Sequence, residues 1–486
     1  MITTPSQQTR PPTAIPLLAL CLGYFMTILD VTIVNVALVN IKEQLSADVT
    51  GLQWIVDGYA LVFASFLLTG GALGDRRGSR TVFLAGLALF TLASTLCSLA
   101  PTLLVLQIAR AFQGLGAALL VPNSLALLNT IFTDVHKRAQ AIGIWAAVAS
   151  IGATSGPLLG GVLVNAFGWR SIFLINLPVG ILCFLLTSRR IAPSTPQGGR
   201  SLDLPGQLAS ILALGMLTFA LIEGNSLGST SPLIIAAYTA SLLFFLFLLI
   251  REKTTSHPML PLALFRERTF SAANVVALFQ TFTFMGFLFV MSLFLQQEKH
   301  YSPSLTGLAL LPAFGIALLA TSLSGMLMAS IGSKSVMVIG LLLSALGCFG
   351  FVMVDTQTSY VLLACLLAVL GGGLALVLPA MTEAVISHAP RAQSGIAAGM
   401  LNVSRQVGGV IGVAILGTLV GNQQTFLWGM HTAFVVCGGV LILGLVSAWV
   451  FMSEHDRRHP KVDSVEKPRR TTRPAETALG RREKSG

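Results

Sequence analysis

The sequence predicts an all-α polytopic membrane protein with 14 transmembrane helices, built as two six-helix halves around two inserted helices. Three observations carry that expectation. Of 486 residues, 54% are hydrophobic and 10% charged, where a soluble chain carries roughly 25% charged residues. Apolar runs repeatedly reach the length of about 20 residues needed to cross a hydrocarbon core of about 30 Å. Residues of the first part of the chain also recur in the last part at nearly one offset.

In chain order, the first six runs are Ala14 to Leu38, Leu52 to Leu73, Thr81 to Ala100, Leu103 to Leu128, Ala139 to Val164 and Ser171 to Ser188. The first follows Arg10-Pro11-Pro12 and is too long for a signal-peptide core, so it is expected to be a retained helix. Gly206 to Gly224 and Pro232 to Ile250 form the inserted pair, bounded by the breakers Pro193 to Gly199 and His257 to Pro261. The last six are Phe270 to Leu295, Leu305 to Met328, Ser335 to Val354, Tyr360 to Val385, Gly395 to Val420 and Thr432 to Met452. The expected organisation is an N-terminal domain 1–190, a linker with the inserted helices 191–268, a C-terminal domain 269–453 and a charged tail 454–486, read as disordered.

The repeat is specific. Gly114 to Pro122 (GLGAALLVP) matches Gly371 to Pro379 (GGGLALVLP) at offset 257. Gly71, Gly78 and Arg80 recur as Gly325, Gly332 and Lys334 at offset 254, and Gly156 and Gly160 as Gly408 and Gly412 at offset 252. Three matches in one order imply parallel repeats, which many transporters share.

Charge sets the orientation. With both termini inside, 25 Lys and Arg fall in cytoplasmic segments, ten of them in the tail, and three in external loops (Lys42, Arg170, Lys299), the asymmetry of the positive-inside rule. The net charge of +11 is accounted for by these loops beside anionic lipid, and no nucleic-acid partner is expected. Six cysteines sit in apolar runs without a CxxC pair and read as small core residues. No GxxxxGK[ST] phosphate loop occurs, and the seven histidines are dispersed through loops, tail and helix ends. Primary pumping, enzymatic activity, a bound metal and any cofactor are therefore not expected.

Two basic residues remain inside helices, Arg110 and Arg405. Intramembrane charges are costly enough to be functional by default. At 1.5 Å rise per residue, Asp30 lies roughly 6 Å, Asp57 about 8 Å and Arg110 about 10 Å below the outer edge of the core. Arg110 can then keep one carboxylate ionised while the other takes up the coupling proton. Asp30 is favoured as the titrating group. The plainer alternative has Asp57 in interfacial water and Asp30 with Arg110 as a static pair. Arg405 falls near mid-membrane without an available acid in helices 9 to 11, 13 or 14, so it faces water or reaches across to the first half. The Phe and Met residues of helix 9, Phe279 to Met291, could line an apolar cavity, but at helical spacing read more simply as lipid-facing or core.

Several stretches together resemble the major facilitator superfamily, in its fourteen-span drug/proton antiporter branch. The loop GALGDRRGSR, with Gly71, Asp75, Arg76, Gly78 and Arg80, resembles the family's loop 2-3 signature. Ser79 and Gly74 depart from it, and the second-half copy has lost its charges. LQIARAFQGLGAA with Arg110, Gln113 and Gly114 resembles the helix 4 motif. GATSGPLLGG with Gly152, Gly156, Pro157, Gly160 and Gly161 resembles the helix 5 signature of exporters. LDVTIVNVAL from Leu29, GWRSIFLINLPVG from Gly168 and NVSRQVGGVIGVAILGT from Asn402 look like the same branch. The resemblance spans about 440 residues. It implies the major facilitator fold, the loop as a conformational latch, helix 5 at the domain interface, and alternating access by a monomer in a bacterial inner membrane. The expected activity is exchange of protons for small lipophilic cationic or neutral drugs, with a dedicated exporter of one metabolite or self-made antibiotic as the alternative.

Overall fold

The computed structural model describes residues 14–194, 196, 203–255, 262–390 and 393–452. The expected tail 454–486 and most of the two breaker segments fall outside the described residues. Fourteen helices are long and apolar enough to span a membrane. They are α1 (Ala14–Leu45), α2 (Val49–Arg77), α3 (Ser79–Leu99), α4 (Leu103–Ile131), α5 (Val135–Phe167), α6 (Ser171–Arg190), α7 (Leu204–Glu223), α8 (Pro232–Thr254), α9 (Arg268–Glu298), α10 (Pro303–Ile331), α11 (Ser333–Met353), α12 (Tyr360–Ser387), α13 (Gly395–Leu419) and α14 (Phe426–Phe451). The loops after even-numbered helices form a basic end, with Arg76, Arg80, Lys137 and Lys334; the opposite, far end carries Lys42, Arg170 and Lys299.

The sequence repeat is a packing repeat. A Cβ on Gly114 of α4 would stand 2.3 Å from the Tyr59 carbonyl of α2, and one on its counterpart Gly371 of α12 would stand 2.4 Å from the Ala313 carbonyl of α10. Gly116 meets Gly86 and Phe90 of α3 just as Gly373 meets Gly340 and Ser344 of α11. Gly156 and Gly160 seat α5 on Thr32 and Ile33 of α1, while Gly408 and Gly412 seat α13 on Leu278 and Phe282 of α9. Without hydrophobic driving force between helices in lipid, such close backbone approach supplies the association energy. Gly78 and Gly332, which end α2 and α10, adopt φ of +89° and +85°, a conformation that a side chain would strain.

The inserted pair is held together by Ser241, which donates to the Ala213 carbonyl at 2.7 Å, and by Arg251 with Asp203 at 3.2 Å. α7 lies along the junction of α2 and α13. Gln207 donates to the Ser65 carbonyl at 2.5 Å and receives the Thr69 hydroxyl, Trp54 Nε1 donates to Glu223 at 2.9 Å, and Thr418 donates to the Leu221 carbonyl at 3.1 Å. α8 lies outside it, with Leu242, Leu243 and Phe247 exposed. The aromatic helix α9 is core rather than lipid-facing: Phe282, Phe287, Phe289 and Met291 are all buried. Five cysteines are buried, but Cys365 is exposed, which corrects the expectation that all six are core residues.

The halves are joined at the far end; toward the basic end α5 and α10 show no such approach at their glycines, while Gly399 of α13 still comes close to Leu68 of α2. Gln53 of α2 donates to the Val413 and Ala414 carbonyls of α13 at 3.0 and 2.8 Å, Gln296 of α9 to the Val36 carbonyl of α1 at 3.1 Å, and Ser304 of α10 to the Gly161 carbonyl of α5 at 3.0 Å. A Cβ on Gly161 would meet the Pro303 carbonyl at 2.4 Å, and one on Gly307 the Pro157 carbonyl at 2.3 Å. Toward the basic end, a Cβ on Gly143 of α5, or on Gly315 or Gly325 of α10, would meet nothing within 4 Å.

That contrast has a measurable consequence. Gly161→Val or Gly307→Val is expected to oppose far-end closure by about 1–3 kcal/mol, shifting the closed population by roughly 5- to 150-fold. Maleimide modification of a Val36→Cys reporter, in a Cys365→Ser background, should accelerate accordingly; Gly325→Val should leave its rate unchanged. Equal rates in all three would refute the closed-gate reading.

Candidate functional site

In the first half, α1, α3, α4 and α6 converge on a dry polar cluster. Asp30, Ser94, Arg110, Gln113 and Asn176 are each at most 2% exposed. Asp30 Oδ2 accepts from Arg110 Nη1, while Oδ1 accepts from Gln113 Nε2 at 2.7 Å and Asn176 Nδ2 at 3.2 Å. Arg110 further donates from Nε to the Ile55 carbonyl at 3.0 Å and from Nη1 to Gln113 Oε1 at 2.8 Å. Ser94 donates to the Phe173 carbonyl at 2.9 Å while accepting from Gln113 at 3.2 Å and Asn176 at 2.9 Å. The guanidinium lies 4.3 Å from the centroid of the Tyr59 ring, a favourable cation–π placement. A buried ion pair survives desolvation only where its remaining hydrogen-bonding capacity is met, and this network meets it.

Helical spacing builds the cluster. Arg110 and Gln113 are three apart on α4, so they share a face and reach Asp30 together. Gly114 beside them admits α2 and brings the Ile55 carbonyl within reach of Arg110.

Asp57 has the opposite environment. It is 0% exposed, and neither carboxyl oxygen has a hydrogen-bond partner among the described residues. It lies one helical turn beyond Gln53, whose amide is bound to α13, and therefore on the face of α2 that meets the second half. The sequence placed Asp30, Asp57 and Arg110 at one depth; the fold joins Asp30 with Arg110 and leaves Asp57 in the seam between the halves.

Arg405 of α13 is half-buried. Its Nε has no partner among the described residues, and it lies within electrostatic reach of Tyr24 of α1 in the first half. Of the loop residues, Arg80 donates from Nη2 to the Ser188 carbonyl at 2.6 Å and from its backbone N–H to Ser194 at 2.9 Å, so these bonds tie it to its own half. Asp75 and Arg76 are exposed in the last turns of α2, and Gly71 packs near Pro122. On α5, Gly152, Gly156 and Gly160 seat α1, whereas Pro157 and Gly161 face α10 across the halves.

Sequence reasoning did not single out Ser94, Tyr59, Gln53 or Asn123. Asn123 of α4 donates to the Gly70 carbonyl of α2 at 2.8 Å, beside Gly74, whose missing side chain makes room for it. A lone amide in an apolar helix was the available signal, since such groups need a partner in lipid.

Comparisons with known proteins agree with this architecture. A family model described as Major Facilitator Superfamily matches residues 20–413 and 274–483. Methylenomycin A resistance protein of Bacillus subtilis (strain 168) is 38% identical over 441 residues, 90% of this chain and 94% of its own. Multidrug resistance protein Stp of Mycobacterium tuberculosis (strain ATCC 25618 / H37Rv) is 40% identical over 404 residues, 83% of this chain and 75% of its own. Among solved structures, a peptide transporter POT in complex with sulfate superposes with a TM-score of 0.69, covering 92% of this chain and 96% of its own at 15% identity. That likeness is one of fold.

Proposed function

The chain belongs to the major facilitator superfamily, and we propose that it is a proton-coupled antiporter exporting lipophilic drugs across a bacterial inner membrane by alternating access. The basic end and both termini face the cytoplasm, following the charge asymmetry of the loops. Each chain carries both halves of the rocking unit, so one copy completes the cycle. Relatives named for resistance to methylenomycin A and to multiple drugs support export as the direction.

The observation that carries the reading is the contrast between two carboxyl groups of one half: Asp30 committed to Arg110, Asp57 buried without a partner among the described residues. This contrast favours Asp57 over Asp30 as the proton carrier. A charged carboxylate closed into a dry seam costs several kcal/mol, whereas its protonated form costs far less. The far-end gate therefore closes readily only after Asp57 has taken a proton from outside. In the state described here the far-end gate is closed, as in the form that receives drug from the cytoplasm. Drug binding and proton release then favour reopening to the outside, and exchange results from one seam that cannot seal around a charge.

Cells with and without the protein, challenged with a panel of dyes and antibiotics, test the function. Broad protection that collapses when the proton gradient is dissipated is the expected result; protection insensitive to the gradient overturns proton coupling. A relative named for a single antibiotic gives weight to a second reading, a dedicated exporter, for which protection would extend to one compound.

A further inference from the structure

Arg405 is a permanent cation in the middle of α13 with no counterion among the described residues. The ion pairs among the described residues are Asp30 with Arg110 and Asp203 with Arg251. The described acids of the second half sit away from it, at helix ends and loops: Glu267 caps α9, Glu298 ends it, Asp355 lies in the loop after α11, and Glu383 lies in the last turns of α12. In the first half, Asp30 is already saturated by three donors, and Asp57 is shut into the far-end seam. Nε of Arg405 is buried without a partner, while the residue as a whole is only half-buried.

An aromatic surface lies nearby: Val403, two residues before Arg405 on α13, packs against the same first-half core cluster as Tyr24 and Trp145. Tyr24 of α1 and Trp145 of α5 stack with centroids 3.8 Å apart and planes within 7°. The Trp145 indole is pinned by donating to the Ser124 hydroxyl at 3.2 Å. Both rings are half-buried, and a Cβ on Gly143, two residues from Trp145, would meet nothing within 4 Å. The rings and Arg405 are thus each partly accessible.

We propose that Arg405 and the Tyr24–Trp145 stack form a docking site for a planar lipophilic organic anion, the guanidinium receiving a carboxylate or phenolate oxygen while the rings carry the apolar body. An unpartnered buried cation gains most from a charge-assisted bond to an oxyanion, and a planar ring gains from an aromatic face. The inference rests on the drug-export reading and changes its substrate class, from cationic or neutral compounds to one that includes organic acids. It also changes the charge balance. One anion leaving in exchange for one entering proton moves two positive charges inward, so membrane potential alone would drive the exchange.

The test uses purified full-length protein in nanodiscs with three fluorescent probes: 1-pyrenebutyrate, its methyl ester and 1-pyrenemethylamine. Binding is read by pyrene anisotropy and by pyrene emission sensitised through tryptophan. The acid is expected to bind more tightly than the ester. Arg405→Gln should weaken the acid by about tenfold or more and leave the ester within about twofold, while Arg405→Lys should retain part of the preference. Trp145→Phe should lower the sensitised emission. Equal affinity of acid and ester for the unaltered protein, no binding of the acid, or an equal loss of both probes in Arg405→Gln would overturn the proposal. Because binding is measured without transport, an acid preference that persists when cells gain no drug protection would overturn the export reading and leave the anion site standing.

Discussion

Asp57→Asn is expected to abolish pH-gradient-driven transport while leaving the fold intact. The carboxyl group is fully buried and makes no hydrogen bond among the described residues, so its amide isostere breaks no ion pair. If Asp57 is neutral when sealed, the stability change is within about 1 kcal/mol, whereas breaking a buried ion pair costs about 3–5 kcal/mol. The functional effect is far larger. With a permanently neutral side chain the far-end gate closes whether or not a proton has been taken up, and uphill accumulation in proteoliposomes loses its driving force. Substrate–substrate exchange and downhill flux should persist, because they need the rocking motion and not the proton. Unaltered gradient-driven uptake by Asp57→Asn would exclude Asp57 as the carrier. The parallel variant Asp30→Asn separates the two acids: coupled uptake that survives it removes Asp30 from the mechanism, as a static partner of Arg110 would require.

Much of this arrangement was legible in the residues because it depends on local spacing. Paired glycines at a constant offset mostly admit a neighbour in an apolar helix, and three pairs do so in both halves, Gly114 with Gly371, Gly116 with Gly373 and Gly156 with Gly408, whereas Gly325, the counterpart of Gly71, meets nothing. The Asp30–Arg110 cluster was legible for a similar reason, since an arginine in lipid must find an acid and depth along the helices brought the two level. What was not legible is which way each helix faces. Asp57 shares its depth with Asp30, but it projects from the face of α2 that Gln53 applies to α13, and α13 is 360 residues away in sequence. The aromatic run of α9 was ambiguous on the same ground: its burial follows from neighbours on several sides, α12, α13 and α14 among them, and no pattern within the helix encodes them. The position of α7 across the junction of α2 and α13 was equally beyond reach, because its anchors, Gln207, Leu221 and Glu223, are ordinary residues that become informative only beside Ser65, Thr418 and Trp54.

Arg110→Leu is expected to be the most damaging single substitution in the membrane interior. It leaves Asp30 with the Gln113 and Asn176 amides but no counterion, frees the Ile55 carbonyl and takes the cation from the face of Tyr59. Removing one partner of a buried pair costs about 3–5 kcal/mol, a large share of the roughly 5–15 kcal/mol that holds a typical domain together. A strongly lowered thermal unfolding midpoint and loss of transport should follow. Arg110→Lys should recover part of the stability, since it keeps the charge but loses the planar fork that serves Asp30, Gln113 and the Ile55 carbonyl together. The double variant Asp30→Asn with Arg110→Gln separates structure from coupling: with both charges gone and hydrogen-bonding side chains retained, it should unfold within about 1–2 kcal/mol of the unaltered protein, because a neutral network avoids the desolvation that the ion pair must offset. If that double variant also restores gradient-driven transport, the pair is a scaffold and Asp57 operates without it. If stability returns and coupled transport does not, the fixed charges of the cluster are needed for the proton at Asp57 to be released toward the cytoplasm. A double-mutant cycle on the unfolding midpoints reads the interaction directly, and a coupling energy near zero would show that Asp30 and Arg110 stabilise the half independently, contrary to the shared network of Gln113, Ser94 and Asn176 that joins them.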